Sequence, residues 1–400
     1  MSMRLPPRGR RTSIAVLFAL LLAAIQSADA LALTWTGDTQ ITTNARGYAY
    51  PGSLAVSSTT TAHMVYEHLV QGSYAVYYRK STNSGSTWGT PVILSRPGSG
   101  TAGLAVIDAN GAAVDAAWVE GDAILASSDS VIRYRRSTDS GATWQAPFNV
   151  SPNNESAGMP RIGHKPSSAT LGVIWTNTAN GKIYVRISTD NGATWKTRIN
   201  LATITNKPYG GTLLEGFPVL AFGTGVIYAG YYSAAKTLKL RRSTDNGVTW
   251  KTAQSIATNA ASWWSPSIAA NSSTAVFGYG AESSTDNWTV YRRTIDKGAT
   301  WGAVASLAPS SGSPAFQPVL QYRSGAFRAI YEKCNSTCSS SAVYYRTSTT
   351  GSTWSTAITA SVHSGGSFAA PADVDVATSV LVLYVDYSNG WNNVKIRRGS

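Results

Sequence analysis

Ser137-Thr138-Asp139-Ser140-Gly141-Ala142-Thr143-Trp144 decides the fold, because it recurs. The octet returns as Ser81 to Trp88, Ser188 to Trp195, Ser243 to Trp250, Thr294 to Trp301 and Thr347 to Trp354. Subtracting the numbers of successive tryptophans gives spacings of 56, 51, 55, 51 and 53 residues. A fixed period of that length is the mark of a repeat architecture, with room for four short strands per unit. The octet itself has the chemistry of a tight turn. Asp139 can accept bonds from its own turn, Gly141 can take a positive φ, and Thr143 leads back into a strand. Trp144 is expected to pack into the apolar layer. Asn83 replaces the Asp in the first octet and serves the same turn, whereas Thr349 at that place in the sixth serves it less well.

The flanks of each octet read as strands in a constant order. In the second unit, Leu104 to Ile107 is the inner strand, Ala112 to Val119 the second, Val131 to Arg136 the third and Trp144 to Val150 the outer one. A proline recurs near the start of the inner strand at Pro51, Pro160, Pro218, Pro266, Pro318 and Pro371. Asn393 to Arg398 copies a third strand, and Thr34 to Ile41 parallels Thr143 to Val150. A seventh unit assembled from both ends would close a ring and remove an open edge. The expected fold is therefore all-β: a seven-bladed β-propeller of four-stranded antiparallel blades, closed by the N-terminal strand.

Residues 1–30 read as a secretory signal, with a basic start at Arg4, Arg8, Arg10 and Arg11, an apolar run from Ile14 to Ile25, and the small-x-small site Ala28-Asp29-Ala30. Residues 31–400 are then a single exported domain, and no later run is long enough for a membrane helix. In an oxidising compartment Cys334 and Cys338 are expected to form a local disulfide. The formal charge of +13 is spread over the repeat, at Arg135 and Arg136, Arg241 and Arg242, Arg292 and Arg293, Arg397 and Arg398 and their counterparts. A nucleic-acid surface needs such charge on one face, so that function is set aside. The histidines His63, His68, His164 and His363 show no metal-ligand spacing, and nothing calls for a cofactor.

The octets resemble the bacterial neuraminidase repeat, or Asp-box, which sialidases share with many propellers that are not sialidases. The resemblance spans nearly all of the exported chain. For a sialidase it implies an arginine clamp on the substrate carboxylate, a Tyr-Glu nucleophile and an Asp acid/base, on the face opposite the boxes. The first arginine of that clamp belongs to an Arg-Ile-Pro motif. Here Ala49-Tyr50-Pro51 stands in its place, and the third unit has Met159-Pro160-Arg161.

The loops assigned to that face hold Tyr48, Tyr50, Glu67, Glu120, Glu155, Arg161, Glu215, Trp263, Trp264, Glu282, Glu332, Asp386 and Trp391 among others, most of them expected to be solvated. Arg161, Glu215, Asp373 and Asp375 are the candidates for catalysis. Tyr48, Tyr50, Trp263, Trp264 and Trp391 are the candidates for ligand binding, because aromatic rings anchor recognition sites at little entropic cost. Asp373 and Asp375 alternate along an inner strand and so share a face; a hydrated channel lining, a channel cation or an acid/base pair are the readings open to them. Trp118, Trp175, Tyr231, Tyr279 and Tyr331 recur in the second strands and read as core. The expected function is a secreted recognition module, lectin-like, with a glycan or an extracellular protein as partner. The alternative is a glycoside hydrolase of sialidase type.

Overall fold

The computed structural model describes residues 33–42, 52–70, 72–96, 100–121, 129–204, 217–234, 236–261, 265–282, 287–308, 313–335, 337–361, 369–386 and 393–400. Its strands form seven four-stranded sheets, each antiparallel throughout. Numbered in chain order, the blades have as inner strands Ser53–Val56, Thr101–Asn110, Ala157–His164, Val219–Gly223, Ser267–Ala270, Ala315–Arg323 and Ala369–Val376. Blade 7 takes its outer strand, Thr39–Gln40, from the other end of the chain, paired to Asn393–Gly399. Thr34 N–H donates to Ser400 O at 2.8 Å, and Ser400 N–H returns a bond to Thr34 O at 3.0 Å. The expected ring closure is what the chain does.

The Asp-box turn forms as its chemistry dictates. Ser137 Oγ accepts from Gly141 N–H at 2.8 Å and donates to Asp139 Oδ1 at 2.7 Å, while Asp139 accepts from the N–H and hydroxyl of Thr143 at 2.8 and 2.6 Å. Asn83 reproduces the core of this set, accepting from Thr87 N–H at 2.9 Å. The sixth turn differs from the sequence reading. Ser348, not Thr347, lies opposite Phe327, as Ser137 lies opposite Val114. Gly351 N–H accordingly reaches Ser348 Oγ over three residues rather than four. The turn is one residue short, and Thr349 holds no Asp position.

Four box tryptophans pack against a tyrosine of the preceding blade: Trp144 on Tyr78 (4.9 Å between ring centroids), Trp195 on Tyr134 (5.0 Å), Trp301 on Tyr228 and Trp354 on Tyr291. The second-strand aromatics are buried, and Tyr66 and Tyr384 complete the series of Trp118, Trp175, Tyr231, Tyr279 and Tyr331. These rings form the apolar layers between blades. Edge-to-face pairs of this kind add roughly 0.5–1.5 kcal/mol beyond the area they bury.

The recurrent arginine is a clip rather than a surface charge. Arg292 Nε and Nη2 donate to Gly302 O and Trp301 O of its own blade, and Nη1 donates to Ile256 O of the preceding one, at 2.7, 2.9 and 3.1 Å. Arg135, Arg186, Arg241 and Arg346 bridge neighbouring blades in the same way. A planar fork of five donors is what such a site needs. Much of the basic charge is therefore spent on backbone carbonyls.

Candidate functional site

Inner strands of the ring line a central cavity of about 830 Å³, running from Phe217 and Ser265 at their starts to Asn110, Ser167 and Ser324 at their ends. Inner strands are sheet edges, so their N–H groups lack a ladder partner on the channel side. Bulges lie along them between Gly103 and Val106, Gly158 and Arg161, Phe316 and Val319, and Pro371 and Asp373. Two of the recurrent prolines, Pro160 and Pro318, fall in these bulges and Pro371 borders one, where a missing donor does least harm.

Arg161, Asp373 and Asp375 are brought together on this channel wall. Asp373 Oδ2 accepts from Ser53 Oγ and Leu54 N–H, both at 2.8 Å, and Asp375 Oδ2 accepts from Val56 N–H at 2.8 Å. Both carboxylates thus face blade 1, and both bind the free edge of its inner strand. They are latches between blades 7 and 1 on the channel wall. Arg323 Nε lies 2.9 Å from Asp375 Oδ1. Burial raises the pKa of Asp373 to about 7 against the bonds from Leu54 and Ser53, and raises that of Asp375 to about 6 against the charge of Arg323. Burial also lowers the Arg161 guanidinium to about 10, with Asp373 opposing. Arg161 donates to Pro160 O at 2.9 Å and lies over the Phe217 ring at 5.3 Å.

A second latch was missed by sequence reasoning. Asp108 Oδ2 accepts from His164 N–H at 2.7 Å and pairs with its Nδ1 at 3.2 Å, while His164 Nε2 lies 2.8 Å from Asp115 Oδ2. Tyr134 donates its hydroxyl to the other Asp115 oxygen. Burial pulls the imidazole down, but the bonds and charges of the two carboxylates outweigh it and raise the pKa to about 10. A carboxylate against each ring nitrogen favours the imidazolium form of His164. The signal was present in Gly111-Ala112, a two-residue hairpin turn whose register sets Asp108 opposite Asp115.

The carboxylates assigned to solvated loops are instead buried or paired. Glu67 is on a second strand, with Oε1 accepting from Ala105 N–H of blade 2 at 3.2 Å. Glu120 accepts from the Trp118 indole and from Arg133 at 3.1 and 2.9 Å, Glu155 from the Trp175 indole at 3.2 Å and from Arg198, and Asp386 pairs with Lys395. Glu282 pairs with Lys236, and Glu332 is buried. Glu67 and Glu120 lie inside second strands, Glu282 and Asp386 end theirs, and Glu155 precedes the inner strand of blade 3. Tyr48, Tyr50, Glu215, Trp263, Trp264 and Trp391 lie outside the described residues. Cys334 and Cys338 are joined at the end of a blade 6 hairpin, Cα atoms 4.8 Å apart. Among the described residues no group of three or more His, Cys, Asp or Glu is placed to hold a metal ion.

A family model described as a BNR repeat-like domain matches residues 126–359. The chain belongs to the BNR repeat-like family. No curated protein matches it. Among solved structures, this BNR repeat-like chain is similar to an ulvan lyase that represents a polysaccharide lyase family (9% identity, TM-score 0.57, covering 91% of this chain and 94% of that one). It is also similar to the intramolecular trans-sialidase of Ruminococcus gnavus (12% identity, TM-score 0.50, 78% and 94%). It spans 63% of the length of a Hadza microbial sialidase, at 15% identity, TM-score 0.48 and 71% of its own length. At such identities the likeness is one of fold, and function has to be argued from the site.

Proposed function

We propose that this propeller is a glycan-recognition module whose binding face is the channel mouth opposite the Asp boxes. The observation that carries this reading is the state of Asp373 and Asp375. Each is spent on backbone N–H groups of blade 1, so the pair that the sequence offered for acid/base work holds the ring together. Arg161 over Phe217 offers a charged donor beside an aromatic face, a combination suited to sugar hydroxyls and to the apolar face of a sugar ring.

One observation favours the alternative, a glycoside hydrolase. A carboxyl raised to about 7 in a cavity, as at Asp373, has the acidity that a general acid needs near neutral pH. A glycan array with residues 31–400, followed by turnover assays on every glycan retained, separates the two. Retention without product is the expected result. Hydrolysis that disappears in Asp373→Asn, with the melting curve unchanged, would overturn it.

A further inference from the structure

The second arginine of each pair marks a different place on the ring, on the side of the boxes. In three blades it is tied to the next box: Arg242 Nη1 donates to Lys297 O at 3.2 Å, Arg293 Nε to Thr350 O at 2.8 Å, and Arg398 Nη1 to Ser86 Oγ at 2.6 Å. In blade 4 the outer strand fills the same corner, where Gln254 Nε2 donates to Ala299 O at 2.9 Å. Blade 2 breaks the pattern. Arg136 Nε is buried without an acceptor, and the corner between blades 2 and 3 is a pocket of about 210 Å³.

The wall of this pocket is also unlike its counterparts. Phe148 lies opposite Tyr134, at the outer-strand position that Val92, Ile199, Gln254, Ala305, Ile358 and Thr39 occupy in the other blades. It is the one aromatic in that series, and it is 43% exposed, so the core does not explain it. Trp195 and Tyr134 complete an aromatic wall, and Gln145 and Thr194 add an amide and a hydroxyl at the rim. Arg186 lies over Phe148, 5.7 Å from the ring centroid. The carboxylate of the neighbouring turn, Asp190, is spent on Ser188 and Thr194, so the corner carries positive charge.

We infer that the pocket between blades 2 and 3 is a second ligand site, one that takes a single sugar ring bearing a carboxylate. Arg136 meets the carboxylate, Phe148 and Trp195 meet the apolar face of the ring, and Gln145 and Thr194 bond its hydroxyls. A corner of about 210 Å³ has room for a single ring. The inference is independent of the channel reading.

The test is saturation-transfer NMR on residues 31–400, with glucuronate as probe and glucose as its neutral counterpart. Glucuronate should bind more tightly than glucose. Arg136→Gln and Phe148→Ala should each weaken glucuronate binding about tenfold, and Arg242→Gln, the same position in blade 4, should leave it unchanged. Melting curves establish that each variant is folded. Equal affinity for the two sugars, no transfer from glucuronate, or unaltered binding in both blade 2 variants would overturn the site. Glycan retention on the array that survives both substitutions belongs to the channel face, so the two readings fail separately.

Discussion

Trp35 stands edge-on to Tyr345, ring centroids 5.9 Å apart and planes at 82°. This is the relationship that Trp354 has to Tyr291, at 5.9 Å and 73°, although Trp35 belongs to no box. Arg397 treats it as one, donating from Nε to Thr36 O at 2.8 Å, just as Arg135 donates to Gln145 O. The N-terminal segment is thus the fourth strand of blade 7 in packing and in hydrogen bonding alike.

Removing residues up to Ile41 should therefore expose the edge formed by Asn393–Gly399 and lower solubility as well as the melting temperature. The milder Trp35→Ala should cost about 2–3 kcal/mol, read from chemical denaturation. A truncated chain that melts like the full one would refute the closure.

The arginine clips give a prediction that charge alone would not. Arg292→Ala strands three carbonyl oxygens and should cost about 2–3 kcal/mol. Arg292→Lys should recover little of it, since an ammonium cannot reach two blades in one plane. Full rescue by lysine in a thermal melt would reduce the clip to a charge effect.

Box turns differ in worth. Asp296→Ala removes bonds to the N–H and hydroxyl of Thr300 and should lower the melting temperature measurably. Thr349→Ala, in the shortened sixth turn, should leave it unchanged.

Stability should fall as pH rises above about 6.5. Burial raises Glu67 to about 8 against the N–H bonds of Ala105 and Leu104, and His164 stands at about 10. The folded state therefore holds protons that the unfolded chain has released by then, and each raised group loses its contribution as pH passes through its folded value. Glu67→Gln keeps an acceptor for Ala105 but cannot ionise. It should match the native chain at pH 5 and exceed it at pH 9 by on the order of 1 kcal/mol or more. Parallel melting profiles for the two chains would dismiss Glu67 as the source.

The fold was legible in the sequence because its signals are local. Every bond that the Asp139 carboxylate accepts lies within the octet, and the chain-end strand could be aligned on Trp35 alone. The shortened sixth turn was not legible, since Thr347 and Ser348 can each supply the hydroxyl that opens the turn and only the pairing of Ser348 with Phe327 decides. The channel was legible in part. The shared face of Asp373 and Asp375 follows from strand alternation, but what they bind is the edge of Ser53–Val56, which reaches them only once the ring closes. His164 likewise meets Asp108 and Asp115 across a blade boundary that no local pattern announces. Glu120 lies one residue past the expected end of its strand at Val119, which in the structure runs to Gly121.

The two bonds between Thr34 and Ser400 have a consequence for the covalent path of the chain. The ring has no geometric beginning, so its opening could be moved. A circular permutant that links residue 400 to residue 34 through a short spacer and starts at Trp144 would place the break in blade 2, where Gln145 and Val150 already bond to Arg136 and Ile132. The same set of non-covalent bonds would then close a different blade, and the native opening would become an ordinary turn.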